Sequence, residues 1–259
     1  MQRALRLMLL LSLLSLSVFA LPVLIPTAAE PPILGGCQLF PADNAWNTDM
    51  SAAPVHPLSD TYVANINANG GDNAHPDFGS DPSYGIPWTT VDGTQALVPL
   101  TFDYADDSDP GPYPIPADAP VEGGGDRHVL VVQTTDCILY ELFAAEYQGG
   151  ADNAWHAGSG AIFDLGSNDL RPDGWTSADA AGLPILPGLA RCEEAETGTI
   201  SHALRFTVSR TQKAYVYPAT HYASSITDLA YPPMGLRFRL KANYDLSGFS
   251  GQALAIATA

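Results

Sequence analysis

The strongest constraint in this chain is a pair of β-rich runs, residues 128–134 and 138–147, set around the turn Thr135-Asp136. Both are dense in Val, Leu, Tyr and Phe, which suit a pleated, half-buried surface, and so short a turn predicts a hairpin. The pattern recurs at lower contrast. Residues 84–91 and 96–102 read as strands around Asp92-Gly93, and residues 161–165, 203–209, 214–217 and 235–242 as further strands. Long turn-rich stretches separate them. Residues 68–83 form one loop, and residues 103–126 carry five Pro and seven acidic side chains. Helical signal is confined to residues 60–67 behind Ser59, one turn at 177–182 capped by Ser177, and a short final helix after Ser247. Nothing between strands has the length of a crossover helix, which excludes a doubly wound fold. The expectation is a mainly β chain: a single antiparallel β-sandwich or barrel with long Gly/Pro-rich loops and a few short helices.

The first 29 residues read differently. Arg3 and Arg6 precede an almost unbroken apolar run over 7–25, Pro22 and Pro26 break it, and Thr27-Ala28-Ala29 is small. That is the layout of a secretory signal peptide, so the reading is a leader at 1–29 and one β-rich domain over 30–259, secreted or extracytoplasmic. An uncut signal anchor and a lipoprotein acylated at Cys37, behind Leu34-Gly35-Gly36, are the alternatives. Removing the leader leaves 9 basic against 28 acidic residues, a net charge of −19. Such a surface excludes nucleic acid and anionic lipid as partners and favours a soluble monomer. Three cysteines in an exported chain allow three pairings and leave one thiol spare. Cys37–Cys137 is preferred, because it ties the start of the mature chain to the hairpin turn. It closes a loop of about 100 residues, for roughly 4–5 kcal/mol in the chain-entropy model. Cys192, in an acidic setting, is then an inert small side chain.

Several longer stretches extend this picture. Residues 127–132 (RHVLVV), 137–143 (CILYELF), 158–165 (GSGAIFDL), 171–184 (RPDGWTSADAAGLP), 202–206 (HALRF), 217–221 (YPATH) and 40–44 (FPADN) resemble a family of exported bacterial proteins. That family is a domain of unknown function. The resemblance implies export and covers nearly the whole mature chain, but it carries no catalytic residue with it. Relatives of this kind continue beyond the point matched by Ala259, which implies that a last element is missing here.

The residues themselves offer four sites. No G-x-S-x-G elbow, H-E-x-x-H helix, P-loop or full EF-hand loop is present. First, Glu141 and Asp164 both fall on expected strands and form a carboxylate pair of the kind that cleaves glycosidic bonds. Trp155, Trp175 and Tyr140 would stack on sugar, with His128 beside them. The plainer reading turns both acids to solvent. Second, His128, His202 and His221 sit at strand ends, where they could gather as a metal or acid/base site, or bond separately to nearby backbone. Third, Asp103, Asp106, Asp107 and Asp109 form a candidate structural Ca²⁺ loop, or a solvated acidic one. Fourth, Ser177 and Asp179 with His202 and Arg205 could form a nucleophile and base, although a cap and a salt bridge explain them more simply.

The expectation is therefore an exported polysaccharide-active hydrolase or lyase. Glu141 and Asp164 would do the chemistry, with His202, His221 and Arg205 positioning substrate. The alternative is a non-catalytic envelope or adhesion module that binds glycan, stabilised by Ca²⁺.

Overall fold

The computed structural model describes residues 30–71, 73–75 and 84–259. The expected leader at 1–29 and part of the loop at 68–83 lie outside them. In chain order the elements are β1 (Ile33–Leu34), β2 (Cys37–Gln38), α1 (Ser59–Ala68), β3 (Trp88–Val91), β4 (Leu100–Phe102), β5 (Val129–Gln133), β6 (Ile138–Phe143), β7 (Glu146–Gly149), β8 (Ala154–Ala157), β9 (Ser159–Asp164), α2 (Cys192–Thr197) and α3 (Gly251–Thr258). The strands make three sheets: β1-β2, β3-β5-β6-β9 and β4-β8-β7. The fold is sheet-rich with few helices, and no sheet closes on itself, so the barrel expectation is corrected. No helix among the described residues is long and apolar enough to cross a membrane.

The purely antiparallel expectation is also corrected. β3 pairs with β5 in parallel, Trp88 opposite Leu130, and β4 pairs with β8 in parallel, Leu100 opposite Trp155. A parallel pair needs a long crossover but not a helical one. The irregular 103–126 segment supplies that length between β4 and β5.

The hairpin signal at 128–147 is real but bends. β5 and β6 run antiparallel, Val129 opposite Leu142 and Gln133 opposite Ile138. The run expected as one strand over 138–147 breaks at Ala144, whose φ is 50°. Beyond it, β7 leaves for the second sheet and pairs with β8, while β6 pairs with β9. Gly158 marks the matching break on the return, where its N–H donates to the Phe143 carbonyl at 2.8 Å. One long hairpin thus serves two sheets.

Alternation then sorts the core. Leu130, Val132, Leu139, Ala161 and Phe163 point from one face of the four-stranded sheet into a cluster with Leu39, Phe40, Ala178, Ile185 and Leu186. Val129, Val131 and Leu142 point from the other face, into a cluster with Val98, Tyr113, Ile115, Trp155 and Ala157. The second cluster is where the two larger sheets face each other. The first is covered by the chain start and by residues 171–191 rather than by strands. Cys37 and Cys137 are bonded, with Cα atoms 5.4 Å apart, and fix the β1-β2 hairpin to the β5-β6 turn. Cys192 is free and exposed. Residues 203–209 and 235–242 form no regular strand, and 214–217 contributes only the bridge of Tyr215 with Met234. The final helix starts at Gly251 behind Ser250, later than expected.

Candidate functional site

The expected carboxylate pair does not assemble. Asp164 lies opposite Ile138 in the β6-β9 register, while Glu141 lies opposite Ala161. Three residues separate these positions, an odd number, so the two side chains leave opposite faces of the sheet. Asp164 is exposed and accepts the Gly166 N–H at 2.8 Å. Glu141 has no exposed surface. Its carboxylate accepts the N–H groups of Ile185, at 2.8 Å, and Leu186, at 2.9 Å. Burial pushes its pKa up to about 7, against the two backbone donors and the Arg205 guanidinium, while Asp179 adds to the rise.

Other expected site residues, His202 excepted, gather on one covering segment rather than around a cleft. Arg205 donates to Asp179 at 2.6 Å. His128 is buried, with Nε2 at 3.1 Å from the Ala178 carbonyl and Nδ1 at 2.6 Å from Glu122. His221 Nδ1 lies 2.8 Å from the Ala180 carbonyl. With Glu141 on Ile185 and Leu186, four residues from separate parts of the chain pin one segment, 178–186, onto the sheet. His202 stands apart, buried between Arg191 and Glu194, with Nδ1 at 2.9 Å from the Ala203 carbonyl. The histidines are therefore not a shared metal site, and among the described residues no three potential ligands converge. Ser177 donates to backbone carbonyls of Asp179 and Leu183, which is local turn chemistry rather than a nucleophile's. It accepts the Asp179 N–H at 2.9 Å, although the turn does not become a helix.

The aspartates of the calcium expectation separate too. Asp109 pairs with Arg171 and accepts the Ile162 N–H. Asp103 reaches the other way, to His156. Asp106 and Asp107 sit in a 3₁₀ turn at the surface. Asp109, bonded to an arginine, is not a free cation ligand, and among the described residues the four aspartates do not gather around one point. Of the expected sugar-stacking rings, Trp155 is 2% exposed and belongs to the core. Tyr140 packs on Tyr113 with ring centres 5.2 Å apart. Trp175 is half-buried under the Arg171 guanidinium, 5.6 Å from its ring centre. The hollow between Phe40, Trp46, Arg171 and Pro184 encloses about 30 Å³, water-sized rather than sugar-sized.

A different cluster lies where residues 171–182 meet 215–222. The Gly174 N–H donates to the Thr220 carbonyl at 2.8 Å, and the Thr220 hydroxyl donates to the Trp175 carbonyl. The N–H groups of Thr220 and His221 both reach the Ala181 carbonyl. This dock puts Tyr215 and Tyr217 against Asp173, with Tyr222 beside Tyr215. The hydroxyls of Tyr215 and Tyr217 both donate to its carboxylate, at 3.1 and 2.9 Å. That carboxylate raises the pKa of Tyr217 first of all, and adds to the effect of desolvation at Tyr215. The Tyr215 and Tyr217 rings meet edge to face at 6.1 Å, and Tyr215 stacks with Tyr222 at 6.4 Å. His221 lies almost parallel to Tyr222, at 5.8 Å. Tyr217 is 65% exposed. Only His221 of this cluster is among the residues singled out by sequence. The i, i+2 spacing of Tyr215 and Tyr217 was the available signal, since it puts both on one side of an extended segment. Nothing in the sequence links them to Asp173.

No family model matches this chain, and no curated protein or solved structure matches it at a significant level.

Proposed function

We propose that this protein is an exported module that binds glycan without cleaving it, on the surface formed by Tyr215, Tyr217, Tyr222, His221 and Asp173, carried by a β-sandwich. The observation behind this reading is the pair of tyrosyl hydroxyls that donate to one carboxylate. Rings held in this way lose little freedom when a ligand lands on them, and their faces suit the C–H face of a pyranose. Asp173 keeps acceptor capacity for sugar hydroxyls. Export and likeness to the exported bacterial family belong to the same reading, supported by the leader-like start and the Cys37–Cys137 bond. The acidic charge supports a monomer that avoids anionic partners. Glu141 and Asp164 leave opposite faces of the sheet, so they do not flank one glycosidic bond.

The test is retention on a panel of insoluble neutral polysaccharides, followed by titration with the soluble fragments. Binding is expected, with Tyr217→Ala weakening it about tenfold, a loss of roughly 1.4 kcal/mol. Asp173→Asn should weaken it as well. Absence of binding to any member, or a Tyr217→Ala variant that binds as tightly as the parent, overturns the reading. Release of new reducing ends overturns the part of the reading that glycan is bound without cleavage.

A further inference from the structure

We infer that Thr101, His156 and Asp103 form a second, separate site: a nucleophile, base and orienting carboxylate for short-chain acyl esters. It lies on the three-stranded sheet and shares no residue with the tyrosine surface.

The parallel register of β4 and β8 puts Thr101 directly opposite His156. Leu100, Phe102, Trp155 and Ala157 all turn into the core cluster. Alternation therefore turns Thr101, Asp103 and His156 to the outer face. There the Thr101 Oγ1 lies 2.9 Å from His156 Nδ1, and His156 Nε2 lies 3.3 Å from Asp103 Oδ1. A carboxylate only accepts, so Asp103 draws the imidazole proton to Nε2. Nδ1 is then the acceptor, and it faces the threonine hydroxyl. This is the order of roles needed for an activated nucleophile: hydroxyl, base, and a third group that fixes the base's tautomer. A groove of about 350 Å³ lined by Leu100, Thr101, Phe102, Ala105, Pro110 and Gly111 runs along β4, the edge strand of this sheet. It is apolar, which fits the acyl chain of an ester rather than a sugar ring.

The reaction balances without a cofactor. Thr101 Oγ1 bonds to the acyl carbon as its proton passes to His156 Nδ1. The C–O bond to the alcohol breaks, and the alcohol leaves with that proton. Water then attacks the acyl-threonine, giving a proton to Nδ1. The carboxylic acid departs and the proton returns to Oγ1. Asp103 is a positioning residue throughout.

The experiment uses the full mature chain with p-nitrophenyl butyrate. The expected result is a burst of p-nitrophenol and a single butyryl group on the peptide that contains Thr101. Thr101→Val and His156→Gln should lower the acylation rate at least 100-fold, within the usual range for loss of a base. Thr101→Ser should retain the burst. Asp103→Asn should lower kcat with KM unchanged, which a merely structural carboxylate would not do. These side chains are solvent-facing, and unchanged melting curves would report intact folds. A Thr101→Val variant as fast as the parent, or a butyryl group on Lys213 or Lys241 instead of Thr101, overturns the proposal. Glycan retention reads the tyrosine surface and the butyryl burst reads Thr101, so failure here and failure of the glycan reading are separable.

Discussion

Glu141 sits with no exposed surface between the four-stranded sheet and the segment that covers it, and among the described residues its donors are two backbone N–H groups. Removing the acceptor strands both donors in the core. Glu141→Ala is therefore expected to cost about 2–4 kcal/mol in urea denaturation. Its titration gives a second, signed prediction. The folded pKa is raised from 4.5 to about 7, so the folded chain holds a proton that the unfolded chain releases. That stabilisation is complete below about 4.5 and is lost as pH rises through about 7. Stability should fall between pH 5 and 7.5, by at most about 3 kcal/mol. Glu141→Gln should flatten that slope. Glu194 has the opposite sign: burial raises its pKa, but His202 and Arg191 outweigh that and hold it low. Its contribution is present above its ordinary range and lost as pH falls, below the Glu141 window. Sequence makes Glu141 conspicuous as an acid flanked by apolar strand residues, but does not show what it bonds to. A lone acid among Leu and Phe can be catalytic or can satisfy buried backbone, and only the partner decides. The partner lies 44 residues away.

The bent hairpin of β6, β7, β8 and β9 shows which elements a sequence can and cannot announce. The β5-β6 pair was legible, because Val and Leu crowd both sides of a tight turn. The break at Ala144 was not, because alanine carries no turn signal and its φ of 50° is imposed by the switch between sheets. The parallel pairings were equally hidden. They depend on the path of the 103–126 segment, whose residues bear no periodicity. At 203–242 the alternation was present but no neighbouring strand paired with it. The close packing between sheets gives a prediction at this scale. A Cβ on Gly160 would lie 2.6 Å from the Phe102 ring and 2.9 Å from the Tyr113 hydroxyl. Tyr113 is fully buried and the half-buried Phe102 ring packs against it, so the pair yields little room. Gly160→Ala should destabilise by about 1–3 kcal/mol. Gly125→Ala, where the added atom meets nothing, should change stability by no more than about 0.5 kcal/mol. Equal effects at the two positions would show that the sheets can separate to accept a methyl group.

Across the whole molecule, one face of the main sheet is covered by chain that has little regular structure of its own. Residues 30–47 and 171–191 make no sheet with it, so they are held by side chains and by one covalent bond. The packing of Leu34, Leu39 and Phe40 is one part of that hold, and the Cys37–Cys137 bond is the other. The two differ in where they act. Packing stabilises the folded state, whereas the bond mainly restricts the unfolded chain, across a separation of 100 residues. The Cys37→Ser, Cys137→Ser double variant should therefore fold to the same structure but lose up to about 4–5 kcal/mol. At the size of this chain that corresponds to a Tm lower by roughly 10–20 °C. Cys192→Ser should leave Tm unchanged, because that thiol is exposed and unbonded. The tyrosine surface gives the check on mechanism. It is docked through residues 171–182 and 215–222, which the disulfide does not touch. If the bond acts on the unfolded chain alone, the double variant below its own Tm should bind glycan as tightly as the parent. A loss of binding with no loss of Tm would mean instead that the bond shapes the folded cover, and that the strain reaches the tyrosines through the shared core of Ala178, Ile185 and Leu186.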